Sequence, residues 1–283
     1  MQITRMKQLL LTIALSLACA HAGYAYTTET INIPSERLPK AMDVTVLTPD
    51  AAKEDPAKKF PTVYILNGYD GNNTSWTTLT DPNLGKYADQ YGMVFVMPDG
   101  MDSWYWDSPE RPDMQMESFI TKELVPLIDS KYPTINNASQ RAITGLSMGG
   151  HGALRLGMLH TDLFGSAGSM SGGVDIRPFP NSWKMKQWIG ERDENPARWD
   201  SMTVMTLVPT LKDKNLNIIF DCGVDDFFAG VNEQLHQAMV EAKIPHDYSS
   251  RPGKHSHQYW RNSIAYHLLY FDKAFRQAKE SEK

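Results

Sequence analysis

The stretch Ala142-Ile143-Thr144-Gly145-Leu146-Ser147-Met148-Gly149-Gly150 decides how the rest of the chain is read. Ala142 to Thr144 has the pattern of a short buried strand, and Met148 to Leu159 runs at helical period with Ala and Leu. A serine set between glycines, where a strand turns into a helix, marks a sharp and strained turn that lifts a nucleophilic hydroxyl clear of a sheet. Bulky side chains two positions either side would strike neighbouring backbone, which accounts for Gly145 and Gly149. The hydroxyl then stands at the positive end of the following helix. As a bare string Gly-x-Ser-x-Gly arises often by chance, and its place between strand and helix gives it force. The plainer alternative is a helix N-cap serine with glycines for close packing.

Outward from this turn, short apolar runs alternate with helical patterns. Thr62 to Leu66, Met93 to Met97, Phe164 to Ser169 and Leu216 to Phe220 read as buried strands beside Ala142 to Thr144. Ser118 to Ser130, Met148 to Leu159, Val231 to Ala242 and Trp260 to Gln277 read as helices. Thr28 to Asn32 and Met42 to Leu47 alternate around a polar turn and read as an opening antiparallel pair. Ala51 to Lys59 reads as a solvated loop. The expected class is α/β, with a mostly parallel central sheet and helices on both faces. In such sheets ligands bind beyond the carboxyl ends of the strands, so chemistry belongs in the loops that follow them.

A serine hydroxyl is a weak nucleophile at neutral pH and needs a base, which needs an orienting acid. The chain has eight histidines. His21 lies in the N-terminal leader, and His151 and His160 lie in or just past the helix after Ser147. His236 and His267 fall inside later helical patterns, and His246 precedes the last strand. His255 and His257 remain, in Arg251-Pro252-Gly253-Lys254-His255-Ser256-His257. His255, just after a flexible glycine, is the expected base and His257 the alternate. The acid is expected after the Leu216–Phe220 strand, where Asp221, Asp225 and Asp226 stand. Asp221 reads as part of the strand, and Asp226 sits deeper in the loop beside Phe227 and Phe228. Residue order alone separates Asp225 from Asp226 poorly, and Asp175 is a distant third. The oxyanion of acyl transfer needs donors already aimed at it. One is the backbone amide of Met148, and the other is expected from Asn67-Gly68-Tyr69-Asp70-Gly71, with Tyr69 as donor.

The composition fits a single folded domain. The 283 residues are 41% hydrophobic, 22% charged and 10% aromatic, and 28 basic against 33 acidic residues give a net charge of −5. The charges are scattered, with no basic face for a nucleic-acid backbone. No apolar run of about 20 residues lies in the body of the chain, so no membrane span is expected there. Residues 1–25 read as a removable signal peptide, with Arg5 and Lys7 before an apolar Leu9 to Ala20. Small-residue cleavage sites follow at Ala20-His21-Ala22 and Gly23-Tyr24-Ala25. The expected location is therefore periplasmic or secreted. Lipidation at Cys19 is the weaker alternative, because Ser16-Leu17-Ala18 lacks the usual leading Leu. Cys222 would be the only cysteine of the mature chain.

With these residues in place, the chain resembles the esterase D-like branch of the α/β-hydrolases. That branch includes S-formylglutathione hydrolases, bacterial feruloyl and acetylxylan esterases, and mycobacterial antigen 85 mycolyltransferases. The likeness runs from about Val44 to Phe275. It is carried by Pro61 to Trp76, Pro98-Asp99-Gly100 with Ser103-Trp104-Tyr105, Glu123 to Tyr132, Gly145 to Gly152, Cys222 to Phe228 and Pro252 to Trp260. The resemblance implies that Asp226, in a Cys-Gly-x-x-Asp-Phe segment, is the acid, and that His255, in Pro-Gly-x-His-Ser, is the base. It places the second oxyanion amide at Tyr69. Many members have His where Asn67 stands, a position that supports the loop.

The implied activity is that of a serine carboxylesterase with Ser147, Asp226 and His255 and no metal or organic cofactor. Trp76, Trp104, Tyr105, Trp106 and Trp260 lie in or beside loops on the active side, and Trp76, Trp104, Tyr105 and Trp260 are expected to touch substrate. The single domain, 26–283, is expected to carry a small Trp-rich lid insertion near 176–205. Aromatic walls suit a hydroxycinnamoyl group or a sugar ring, and export points to acetyl or feruloyl esters on plant polysaccharide fragments. Two other classes stand beside this reading: an acyltransferase of the same fold, and a non-catalytic carbohydrate-binding module on a degenerate hydrolase fold.

Overall fold

The computed structural model describes residues 26–281, so the leader, its cleavage sites and Cys19 lie outside the described residues. Eight strands form one sheet: β1 (Thr27–Ile33), β2 (Met42–Thr48), β3 (Thr62–Leu66), β4 (Val94–Pro98), β5 (Arg141–Gly145), β6 (Ser166–Met170), β7 (Asn217–Gly223) and β8 (Asp247–Arg251). Their spatial order is β1-β2-β4-β3-β5-β6-β7-β8. β2 runs antiparallel to both β1 and β4, and the other pairings are parallel. The sheet is thus mostly parallel with an antiparallel edge, as the alternation of runs predicts.

The central strands are apolar throughout because both faces are covered. Along β3, Val63 and Ile65 point to one core, while Tyr64 and Leu66 point to the other. The helices are α1 (Ala51–Glu54), α2 (Leu84–Tyr91), α3 (Met116–Phe119), α4 (Val125–Lys131), α5 (Met148–Leu159), α6 (Met185–Ile189), α7 (Pro196–Ser201), α8 (Ala229–Glu241) and α9 (His257–Ser281). A π-turn at Ile120–Leu124 joins α3 to α4. One core packs α2 and α9 against the sheet through Leu84, Ala88, Ile264, Leu268 and Phe271. The other holds α3 to α5 and α8, with Phe119, Leu124, Ile128, Leu154, Leu156 and Leu235.

Besides shifts of a residue or two at element ends and the π-turn that splits the helix expected at Ser118–Ser130, three details differ from the sequence expectations. The start of the Ala51–Lys59 loop winds into α1. The strand expected at Phe164–Ser169 begins two residues later, since Phe164 closes the turn after α5 by donating its amide to His160 O. α2, for which no helix was expected, covers the β3–β4 crossover and stops at Gly92 in the left-handed region (φ 60°).

Candidate active site

The carboxyl ends of β3, β5 and β7 converge on one cavity, of about 460 Å³. Ser147 stands at its floor, at φ 56° and ψ −118° between β5 and α5. That backbone is sterically costly for a residue with a side chain, and here the packing enforces it. A Cβ on Gly149 would lie 2.4 Å from Leu66 O, and one on Gly145 would lie 2.6 Å from Gly149 O. The two glycines are therefore required by backbone contact.

The candidate base, His255, comes from the loop that β8 sends into α9. His255 Nδ1 lies 2.8 Å from Asp226 Oδ2 and 3.0 Å from Oδ1, and its Nε2 lies 2.8 Å from Ser147 Oγ. A carboxylate only accepts, so Nδ1–H donates to Asp226 and Nε2 is left to accept from the serine hydroxyl. Asp226 is buried and also accepts from Phe228 N at 2.8 Å, which fixes its orientation. The loops carrying Asp226 and His255 are stitched together: Val224 N donates to Arg251 O and Asp225 N to Gly253 O, each at 2.9 Å. Gly253 holds φ 146°, and a Cβ there would strike Tyr259.

The other candidate acids are engaged elsewhere. Asp225 is exposed. Asp221 lies in β7, buried, and binds His267 Nε2 at 2.9 Å and Ser263 Oγ at 2.7 Å. Burial pushes its carboxyl up, but His267, Arg251 and Ser263 outweigh this and hold it below the usual carboxylate range. Asp175 is paired with Arg177 at 2.7 Å. His257, the alternate base, lines the cavity with Nδ1 2.9 Å from Thr80 Oγ1. Burial lowers its pKa, aided by Arg261 and His255. His151 is buried and takes a hydrogen bond from Trp106 Nε1 while its Nδ1 meets Gly173 O, each at 2.9 Å. Burial holds it neutral, with a pKa of about 3. It is a packing histidine.

Tyr69 and Met148 flank Ser147 from β3's loop and from α5. Neither amide meets a protein acceptor among the described residues. Gly68 sits at this approach, where a Cβ would lie 2.6 Å from Leu146 Cδ1, a side-chain end that can move aside, and 3.4 Å from Ser147 Cβ. Asn67 supports this loop: it accepts from Gly100 N at 2.8 Å and from Tyr105 Oη at 3.1 Å, and donates to Gly68 O at 2.9 Å. Such an arrangement can deprotonate a serine and hold an oxyanion.

Of the four aromatic residues expected on the cavity wall, Trp76 and Trp260 line it and Trp104 and Tyr105 do not. The chain turns at Trp104 and Tyr105 with φ 54° and 62° and sends both rings inward. Trp104 stacks on Trp106 at 5.5 Å, and Tyr105 Oη donates to Asn67 O at 3.0 Å. Leu79, Leu146, Trp183 and Phe227 are the apolar wall residues missed from sequence. Phe227 carried a signal, since it follows Asp226. Trp183 lies inside the Trp-rich segment near 176–205, which the sequence marks only as a whole.

Residues 35–271 match the model of the family described as "Putative esterase". The chain belongs to this esterase family. It is similar to an acetyl esterase of Caldicellulosiruptor saccharolyticus, 27% identical over 256 residues that cover 83% of this chain and 94% of the relative. It is also 25% identical to an S-formylglutathione hydrolase of Mus musculus over 241 residues, which cover 76% of this chain and 83% of that one. Among solved structures, a ferulic acid esterase superposes with a TM-score of 0.74 at 26% identity, covering 89% of this esterase and 100% of that chain. The esterase thus has the α/β-hydrolase fold and is a carboxylic-ester hydrolase. No helix among its described residues is long and apolar enough to cross a membrane.

Proposed function

We propose that this esterase is an exported serine carboxylesterase that removes acetyl or feruloyl groups from polysaccharide fragments, with Ser147 as nucleophile. The observation that carries the reading is His255 bridging Ser147 and Asp226 at 2.8 Å on each side, at the floor of an aromatic cavity. Ser147 Oγ attacks the ester carbonyl carbon as its proton passes to His255 Nε2, and Asp226 steadies the imidazolium. The tetrahedral oxyanion rests on the amides of Tyr69 and Met148. Its collapse breaks the bond to the alcohol, which leaves with the proton from His255. Water then gives a proton to His255 as it attacks the acyl-serine, and the acid is released as Ser147 regains its hydrogen.

The lining favours a neutral ester. Asp70 is the only carboxylate among the described residues that line the cavity, and no lysine or arginine lines it. A thiol ester of glutathione carries carboxylates, and Lys184, beside the Tyr69 ring, is already paired with Asp102. Tyr69, Trp76, Trp183, Phe227 and Trp260 instead offer ring faces and edges to a flat acyl group or a sugar.

Hydrolysis of p-nitrophenyl acetate and methyl ferulate by the protein, beside Ser147→Ala, tests the reading. Activity in the first and none in the second is expected. Equal, negligible rates from both would overturn it.

A further inference from the structure

Trp183 and Phe227 form a continuation of the His255 ring. The Phe227 ring centroid lies 4.2 Å from that of His255 at 35°, and the Trp183 ring centroid lies 5.8 Å from that of Phe227 at 24°. Both rings line the cavity, and Phe227 is 54% exposed. Trp183 is also held in ring contact with Phe179 at 5.6 Å, Phe228 at 5.3 Å and Trp104 at 5.9 Å. Its backbone is left-handed (φ 47°), as is that of Lys184 (φ 53°). Two successive side-chain-bearing residues in that region cost energy and persist only where the surroundings hold them, a pattern concentrated at ligand clamps.

Resting on the serine-esterase reading above, in which the alcohol is a sugar, we propose that Trp183 and Phe227 form the platform on which that alcohol half of the substrate stacks. The chemistry assigns the side. His255 Nε2 delivers its proton to the departing oxygen, so the alcohol must lie beside the imidazole, where the ring run begins. A pyranose presents a face of C–H groups, apolar and slightly positive, to the negative face of an aromatic ring, while its hydroxyls point outward. The open edge at Phe227 lets further sugars extend into solvent. Asp70 lies on the same rim, because Asp102 accepts from Asp70 N at 3.4 Å and from Lys184 Nζ at 3.3 Å. Its carboxylate is the acceptor for sugar hydroxyls. Trp76, Leu79 and Thr80 are left to face the acyl half.

The test varies one half of the ester at a time. Methyl acetate against O-acetyl methyl xyloside varies the alcohol, and methyl acetate against methyl ferulate varies the acid. Trp183→Ala and Phe227→Ala are each expected to lower kcat/KM for the xyloside relative to methyl acetate by about tenfold, chiefly through KM. The ferulate-to-acetate ratio is expected to stay within about twofold, and Trp183→Phe to restore most of the xyloside preference. Phe227→Ala truncates an exposed ring, so it keeps the test open if Trp183→Ala fails to fold. A shift in the ferulate-to-acetate ratio instead would place the platform on the acyl side and overturn the proposal. An equal fall on all three esters would reduce the rings to structural support and also overturn it. A wild-type protein no more active than Ser147→Ala on any ester would fell the esterase reading itself.

Discussion

Asp226 grips His255 with both carboxylate oxygens, at 2.8 and 3.0 Å from Nδ1, while its neighbour Asp225 faces solvent. The bond fixes which nitrogen carries the proton, so an amide in its place would hold the wrong tautomer. Asp226→Asn is expected to lower kcat on the order of 10⁴-fold. Asp225→Asn is expected to stay within about twofold of wild type, as surface changes away from the site usually do. Steady-state rates on p-nitrophenyl acetate decide it, and the reverse pattern would move the acid to Asp225.

The turn at Ser147 gives a second prediction, on stability. A Cβ on Gly149 meets Leu66 O at 2.4 Å and Asn67 O at 2.6 Å, both backbone atoms that cannot rotate away. Gly149→Ala must displace α5 from β3, at a cost of about 1–3 kcal/mol, and so lower Tm by about 3 °C or more. Gly230, in α8, has nothing within 4 Å of its would-be Cβ. Gly230→Ala is expected to raise stability by about 0.4–1 kcal/mol through the unfolded chain. Thermal unfolding of the two variants should therefore move in opposite directions.

Acid sensitivity is built in away from the cavity. Glu117 receives hydrogen bonds from His160 Nε2 at 2.9 Å and from Arg155. Burial pushes its carboxyl up, but His160 and Arg155 outweigh that and hold it at about 2 against an ordinary 4.5. A depressed folded value means the stabilisation is complete above pH 4.5 and is lost as pH falls toward 2. Its size is on the order of 3 kcal/mol. Glu117→Gln should have a lower Tm than wild type at pH 7, and the gap should shrink between pH 4.5 and 2. A gap that stays constant across that range would show that the charge contributes nothing.

The sheet and the turn at Ser147 were legible because each follows from a local rule. Buried parallel strands must be apolar on both faces, and the turn after β5 must be small at 145 and 149. Position narrowed the histidines to His255 and His257, since the others fall in or just past helices, before a strand or in the leader, and the flexible glycine before His255 favoured it over His257. The walls of the cavity were not legible in the same way. Trp104 and Tyr105 leave β4's loop on the expected side of the sheet, but two left-handed residues turn their rings into the core. Nothing in their own identity signals that turn. Trp183 reaches the cavity from a segment whose helices, α6 and α7, have five and six residues, too short to show a period. α2 has eight residues and was missed for the same reason.

Lys184 connects two parts of the cavity that different loops supply. Its Nζ lies 3.3 Å from Asp102 Oδ2 and 5.9 Å from the centre of the Tyr69 ring. Asp102 in turn accepts from Asp70 N at 3.4 Å, so one lysine ties the Trp183 segment to the loop bearing the Tyr69 amide. The pair is solvent-exposed at the lysine, with 59% of that side chain accessible. Exposed pairs add little to global stability, so Lys184→Ala should keep its Tm within about 2 °C of wild type. Activity should respond more, because the tie links the loop of the Tyr69 amide to the segment of the Trp183 ring. A loss of kcat/KM of at most about fivefold is expected, matching the modest strength of such pairs. Screening shortens from about 30 Å at 0.01 M salt to about 3 Å at 1 M. Raising salt should therefore lower the wild-type kcat/KM toward that of Lys184→Ala while leaving the variant nearly unchanged. Parallel salt curves for the two proteins would show that Lys184 holds neither loop.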